Sequence, residues 1–238
     1  MADLHLSGSD AVDKPMEVFG KRWTGHTEKI IKNWRAVVGE EDTVIVPGDI
    51  SWALETADVL PDLRLIDSLP GKKFLGKGNH DYWWATMAKL TRLCADNELS
   101  SISFLYNSGA VIEDFAVAGT RGWWSDVSLP GVPDGVNSEK ITLREAGRLR
   151  SSLAEAVRLD GEDGRERLVF LHFPPVWSGI VCRPIVDVLH EYGVRRCYFG
   201  HIHGQYTVPS VFTFEDISFS LISADYLNFA PRPILPEY

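Results

Sequence analysis

The stretch Lys73-Phe74-Leu75-Gly76-Lys77-Gly78-Asn79-His80-Asp81 passes from an apolar, strand-like run into a turn carrying an amide, an imidazole and a carboxylate. The same event recurs along the chain. Thr43-Val44-Ile45-Val46-Pro47 runs into Gly48-Asp49, Leu168-Val169-Phe170-Leu171 ends at His172, and Arg196-Cys197-Tyr198-Phe199 leads into Gly200-His201-Ile202-His203. A further pair, Asp3-Leu4-His5, stands at the start. Short β-branched and aromatic runs bounded by glycine predict buried strands. Each polar motif therefore sits just after a strand, where α/β sheets place their ligands.

Helical patterns fill the gaps. Ile30, Ile31, Trp34, Val37 and Val38 share one face, with Thr27 as the expected N-cap. Trp84-Met87-Ala88-Thr91 and residues 142–159 repeat that periodicity, and Pro184 to Tyr192 forms a shorter helix closed by Gly193. Thr207 to Ser223 is strand-like throughout. Strands alternating with helices, then consecutive strands, predict an α/β protein with at least one mixed sheet. No repeat or linker divides the chain, so residues 1–238 are read as a single domain.

A net charge of −9 argues against long nucleic acid as the partner, because a phosphate backbone is tracked by clustered lysine and arginine. Cys94, Cys182 and Cys197 are odd in number and widely spaced, which fits buried thiols in a reducing compartment. Neither a signal peptide nor an apolar run of membrane-spanning length is visible, so a cytoplasmic protein with no membrane partner is expected.

Taken singly, a histidine after a strand is more often structural than functional. The set reads differently. Asp3, His5, Asp49, Asn79, His172, His201 and His203 are all ligand-type side chains on strand-end turns, as divalent cations require. In an extended segment His201 and His203 point the same way and reach adjacent ions.

In this order, DxH, GD, GNHD, a lone His and GHxH, the motifs resemble those of the calcineurin-like metallophosphoesterases. The tail Ser223-Ala224-Asp225-Tyr226-Leu227-Asn228-Phe229 resembles a bacterial branch of predicted phosphohydrolases within that superfamily. The resemblance implies a four-layer α/β/β/α sandwich of two mixed sheets flanked by helices. It also implies two divalent ions, manganese, iron, zinc or nickel. Asp3, His5 and His203 would hold one ion, Asn79, His172 and His201 the other, and Asp49 would bridge them. A metal-bridging hydroxide would attack the phosphorus of a small phosphodiester or phosphomonoester. His80 would stand beside the phosphate without binding metal, oriented by Asp81.

The chain departs from its relatives in two places. Only Met1 and Ala2 precede Asp3, so the first strand is truncated and the Asp3/His5 end is expected to fray. Ile50-Ser51-Trp52 follows Asp49, which fits neither the serine/threonine phosphatases nor the purple acid phosphatases.

Aromatics crowd the motif loops: Trp52, Tyr82, Trp83, Trp84, Trp123, Trp124, Phe173 and Trp177. Two readings stand. Trp52 and Trp83 form a mouth that stacks a flat leaving group, or such residues pack the roots of the loops, the better reading for Trp84 and one of Trp123 and Trp124. Arg121 either reaches substrate phosphate or is exposed or structurally paired. Residues 7–25 form a long loop, a lid through Phe19 or Trp23. His190 is read as a helix-surface residue and His26 is left open. A cyclic-nucleotide or other nucleotide diesterase is the alternative specialisation. A non-catalytic scaffold on the same fold is the alternative outside enzymes.

Overall fold

The computed structural model describes residues 1–123 and 138–236. Three parallel strands, β1 (Thr43–Pro47), β2 (Lys72–Gly76) and β3 (Ile102–Phe104), form a small sheet in the order β1-β2-β3. The larger sheet is mixed. It contains β4 (Ser108–Ile112), β5 (Phe115–Thr120), β6 (Glu166–Leu171), β9 (Arg196–Phe199), β10 (Val211–Phe214) and β11 (Ile217–Leu221). Their order is β10-β11-β9-β6-β5-β4, with β10 and β4 as antiparallel edges on four parallel strands. A minor hairpin, β7 (Val176–Trp177) with β8 (Ile180–Val181), follows β6.

Three separate apolar cores define four layers. Ile30 and Trp34 of α1 (His26–Val37), Leu63 and Ile66 of α2 (Leu60–Asp67) and Leu90 of α3 (Met87–Asp96) bury against Val44, Val46 and Leu75 of the small sheet. Ala146, Leu149 and Leu153 of α4 (Ser138–Asp160), with Ile185 and Leu189 of α5 (Arg183–Glu191), cover the outer face of the large sheet. Between the sheets lie Val117, Leu168, Phe170, Tyr198 and Ile222, with Ile45 and Phe74 opposite. The strand period of two sorts β6, so that Leu168 and Phe170 face the other sheet while Val169 and Leu171 face the helices. Each such side chain contributes about 1.5–3 kcal/mol by burial. The architecture is the α/β/β/α sandwich, its smaller sheet purely parallel.

Two helix starts differ from the periodic reading. α1 begins at His26; Gly25 holds the N-cap position in left-handed backbone (φ 58°) without a side-chain cap, so Thr27 falls inside the first turn. α3 begins at Met87, because the Thr86 side chain accepts from the Lys89 N–H and stops the helix short of Trp84. The helix α2, with Pro61 in its first turn, was not anticipated. All three cysteines are buried free thiols. No helix among the described residues is long and apolar enough to cross a membrane.

The first strand is indeed missing, yet the terminus does not fray. Ala2 N–H donates to the Ile222 carbonyl at 2.7 Å, and Ala224 N–H donates back to Ala2 at 2.9 Å. On the other side Asp3, His5 and Leu6 donate to the carbonyls of Gly48, Asp49 and Ile50 at 2.9–3.0 Å. Residues 2–6 thus bridge the small-sheet loops and the end of β11, and Asp3 is fully buried.

Candidate metal centre

Every ligand-type residue comes from a turn that leaves the C-terminal end of a strand or from the tethered N-terminus. Four of them hold left-handed backbone: Asp3 (φ 61°), His5 (φ 47°), Asp49 (φ 52°) and His201 (φ 70°). That conformation costs a non-glycine residue about 1–3 kcal/mol and persists only where the surroundings impose it. Here the imposition is visible. The Asp3 carboxylate accepts the His201 N–H at 2.9 and 3.1 Å, and Asp49 Oδ1 accepts the His80 N–H at 2.8 Å. Gly78 and Gly200 make the approach sterically possible. A Cβ on Gly78 would collide with Asp49 Oδ1, and one on Gly200 would lie 2.5 Å from Asp3 Oδ2.

Two groups of ligand atoms result. Asp3, His5 and His203 converge in one, Asp49, His172 and His201 in the other. The Asn79 amide oxygen joins the second, 2.6 Å from His172 Nε2. Asp49 stands between them, its Oδ2 3.7 Å from His5 Nε2 and 3.5 Å from His172 Nε2. His5 Nε2 and His203 Nε2 face each other at 3.3 Å.

The electrostatics suit cations. Burial, then the neighbouring histidines, hold the His5 and His172 imidazoles well below the usual range, and the same causes bring His201 down to about 3. These rings are neutral, with lone pairs to offer. Burial pushes Asp3 up to about 6, and burial with the Asp81 and Asp3 charges pushes Asp49 well up. Crowded carboxylates beside neutral imidazoles are a donor set short of positive charge, and divalent ions fit it.

Several residues take parts that differ from the sequence reading. Asp81 does not orient His80. Its carboxylate accepts from the N–H groups of Asp49, Ile50, Ser51 and Gly78 at 2.7–3.3 Å and from Trp83 Nε1 at 3.1 Å, which occupies both oxygens. It ties the Gly48 turn to the Gly78 turn. Trp83 is buried on that carboxylate and packs the core, so it is no substrate contact. Trp23 is likewise no lid; it is buried edge-on to His5 and His203 at 5.8 and 5.5 Å. Phe19 is exposed. Trp84 packs on Phe104 and Tyr106. His190 lies on the α5 surface against Glu215 at 3.2 Å. Trp124 lies outside the described residues.

Trp52 lies beside the ligand groups. Half-buried, it stacks on His5 at 4.9 Å and tilts against His80 at 4.4 Å, with Lys14 at 5.4 Å over its ring. The His80 ring is also half-buried; burial, then the His203 and Lys14 charges, lower its pKa. Its Nδ1 is buried with no hydrogen-bond partner among the described residues.

Two supporting residues escaped the sequence reading. Asp225 accepts from His203 Nδ1 at 2.9 Å, from Gly204 N–H at 3.0 Å and from the Tyr206 hydroxyl at 2.9 Å. His26, left open before, meets the His5 carbonyl through Nε2 at 3.2 Å. Asp225 stands in the 223–229 tail quoted above, where nothing marked its partner, and His26 stands in no motif.

A family model described as calcineurin-like phosphoesterase matches residues 1–205. No protein of curated function matches the chain. Among solved structures, TT1561 of Thermus thermophilus aligns with a TM-score of 0.56 at 14% identity, over 86% of this chain and 86% of that one. The protein of unknown function AQ665 from Aquifex aeolicus aligns with a TM-score of 0.48 at 16% identity, over 97% of this chain and 91% of that one. At 14% identity the likeness to TT1561 speaks to the fold alone.

Proposed function

Because the chain belongs to the calcineurin-like phosphoesterase family, we propose that it hydrolyses a small phosphodiester or phosphomonoester at a two-metal centre. The observation that carries this reading is the place of Asp49. One carboxylate oxygen lies within 3.5–3.7 Å of an imidazole from each ligand group, so Asp49 would serve both. Asp3, His5 and His203 would hold one ion, Asn79, His172 and His201 the other. Two divalent cations so held would lower the pKa of water and neutralise the phosphate oxygens.

The remaining work falls to the chain's own groups. The Asp49-bound turn fixes the backbone of His80, and Trp52 braces its ring. His80 is then placed to give a proton to the leaving alkoxide or to stabilise charge on the phosphate. The absence of a lysine and arginine run favours a small substrate, with weak dependence on salt. A nucleotide diester is the specialisation favoured by Tyr82, which is exposed beside His80 at 6.2 Å and offers a ring face to a base.

The test is metal analysis together with hydrolysis of a bis-aryl phosphodiester in added manganese. Asp49→Ala should lose both ions and all turnover. His80→Ala should keep its metal and lose about 10²–10⁴-fold in kcat, less for a nitrophenolate leaving group that needs no proton. Trace metal after manganese soaking, or metal loss in His80→Ala, overturns the assignment.

A further inference from the structure

Arg22 is joined to the Asp3/His5/His203 group by a continuous chain of contacts. It stands in a short 3₁₀ turn, Lys21–Trp23, where the Lys29 ammonium donates to its carbonyl at 2.7 Å. Trp23, next in the chain, is buried edge-on to His203 at 5.5 Å. Arg22 Nη1 donates to the Asp225 carbonyl at 2.7 Å, and the guanidinium lies over the Tyr206 ring at 3.9 Å. The Tyr206 hydroxyl donates to Asp225 Oδ2 at 2.9 Å, beside the Gly204 N–H at 3.0 Å. Asp225 Oδ1, the remaining oxygen, meets His203 Nδ1 at 2.9 Å. Arg121 differs: its guanidinium packs over Trp123 and Phe173 at 5.5 and 5.8 Å, on the side where Phe173 meets His201 at 4.5 Å.

An aspartate carboxylate turns easily about its last torsion, so the place of Oδ1 depends on what holds Oδ2 and the main chain. Tyr206 holds Oδ2, and Arg22 holds the main chain. The Tyr206 ring is itself 40% exposed, and the stacked guanidinium gives it a fixed partner that the core does not. We propose that Arg22 and Tyr206 are positioning residues for the candidate metal centre: together they lock the Asp225 carboxylate onto His203 and so set the affinity of the Asp3/His5/His203 ion. This rests on the two-metal reading above and adds to it. An imidazole whose Nδ1 is held by a carboxylate offers Nε2 in one orientation and as a stronger donor. The segment before α1 thereby acts on a ligand that follows β9, through a side chain that follows β11.

The experiment titrates manganese into the metal-free full chain by calorimetry, with Asn79→Ala marking the step that belongs to the other ion. Tyr206→Phe keeps a ring beneath the guanidinium and removes the hydroxyl. Arg22→Met keeps the length and removes both the donor and the charge. Each should weaken the Asp3/His5/His203 ion by about threefold to tenfold, less than the loss of a group bonded directly to a ligand imidazole, and leave the other ion as in the parent. Arg22→Lys, with its charge and one donor, should fall between Arg22→Met and the parent. In an Asp225→Ala background both substitutions should lose their effect, since no carboxylate remains to be held. Saturating manganese should restore kcat on a bis-aryl phosphodiester. Tyr206 is exposed, so Tyr206→Phe carries the test if Arg22→Met fails to fold.

Parental affinity in the variants, an equal loss at both ions, or the same loss with and without Asp225 overturns the positioning role and leaves the phosphoesterase reading intact. A kcat that stays low under saturating manganese places these residues on the substrate and overturns it as well. A parent that binds manganese but hydrolyses no phosphodiester overturns the phosphoesterase reading alone. A parent that binds no manganese overturns both.

Discussion

Asp225 Oδ1 accepts the Nδ1 proton of His203 at 2.9 Å, and this contact decides which nitrogen of that ring faces the candidate metal centre. With Nδ1 committed, Nε2 points at His5 with its lone pair free. Burial alone would lower the His203 pKa, but the Asp225 hydrogen bond and the Asp3 and Asp225 charges raise it. Asp225→Ala should therefore weaken the Asp3/His5/His203 ion by about 10–100-fold, and Asp225→Asn, which can still accept from Nδ1, by less. Manganese titration calorimetry reads both values. Equal loss in the two variants would reduce Asp225 to a space-filling role.

Asp81 gives a prediction about stability. Removing its carboxylate leaves four backbone N–H groups and an indole without an acceptor in a buried place. Asp81→Ala should cost about 3–5 kcal/mol and lower metal content, because both ligand turns loosen together. Chemical denaturation with and without manganese measures it. A variant of parental stability that lost only kcat would restore the orienting role toward His80.

Metal uptake should release protons from carboxyl groups and not from His201. Asp3, raised from 3.8 to about 6, keeps a proton in acid that the incoming ion must displace, whereas His201, lowered to about 3, is already neutral. Affinity should then fall as pH drops through about 6 and level off above it. Infrared difference spectra of the chelated protein at mildly acid pH should show a protonated carboxyl band that metal abolishes and Asp3→Asn lacks. A pH-independent affinity with no such band would contradict the assignment.

The two tryptophans nearest the motifs should separate cleanly. Trp83→Phe keeps the bulk but leaves an Asp81 lone pair without its indole donor, and should cost about 1–3 kcal/mol with little change in kcat beyond that from misfolded protein. Trp52→Leu removes the brace on His5 and His80 and should lower kcat with a smaller shift in melting temperature. Paired kinetics and thermal melts decide, and the reverse pattern would exchange the two roles.

What could be read in advance was local. The strand-end placement of His172 and His201 was legible because each follows an apolar run at once or after a single glycine, while Asn79 lies a short glycine-bounded turn beyond its strand. The strand character of residues 207–223 was legible in the same way, although their folding into the β10/β11 hairpin was not. Asp225, His26 and Trp23 were not legible, since each acts on a residue far away in sequence (His203, His5 and both of these together) and carries no periodic signal. Asp81 sat inside a motif and was still misread. Its neighbour in the chain is His80, but three of its donors in space, Asp49, Ile50 and Ser51, belong to the distant loop after β1. The order at the N-terminus was hidden for a related reason, because a strand of normal length was the only tether the sequence could display.

That tether has a consequence for how the molecule assembles. Residues 2–6 take backbone partners that include Ile222 and Ala224, far away along the chain. Closing so long a loop is entropically slow and unrewarded until both sheets exist. The candidate Asp3/His5/His203 group is therefore completed only once the segment that follows β11 is in place, and Asp3 is set late in folding. A polypeptide halted anywhere before Ile222 can fold its strands but has nothing to hold Ala2 against the larger sheet.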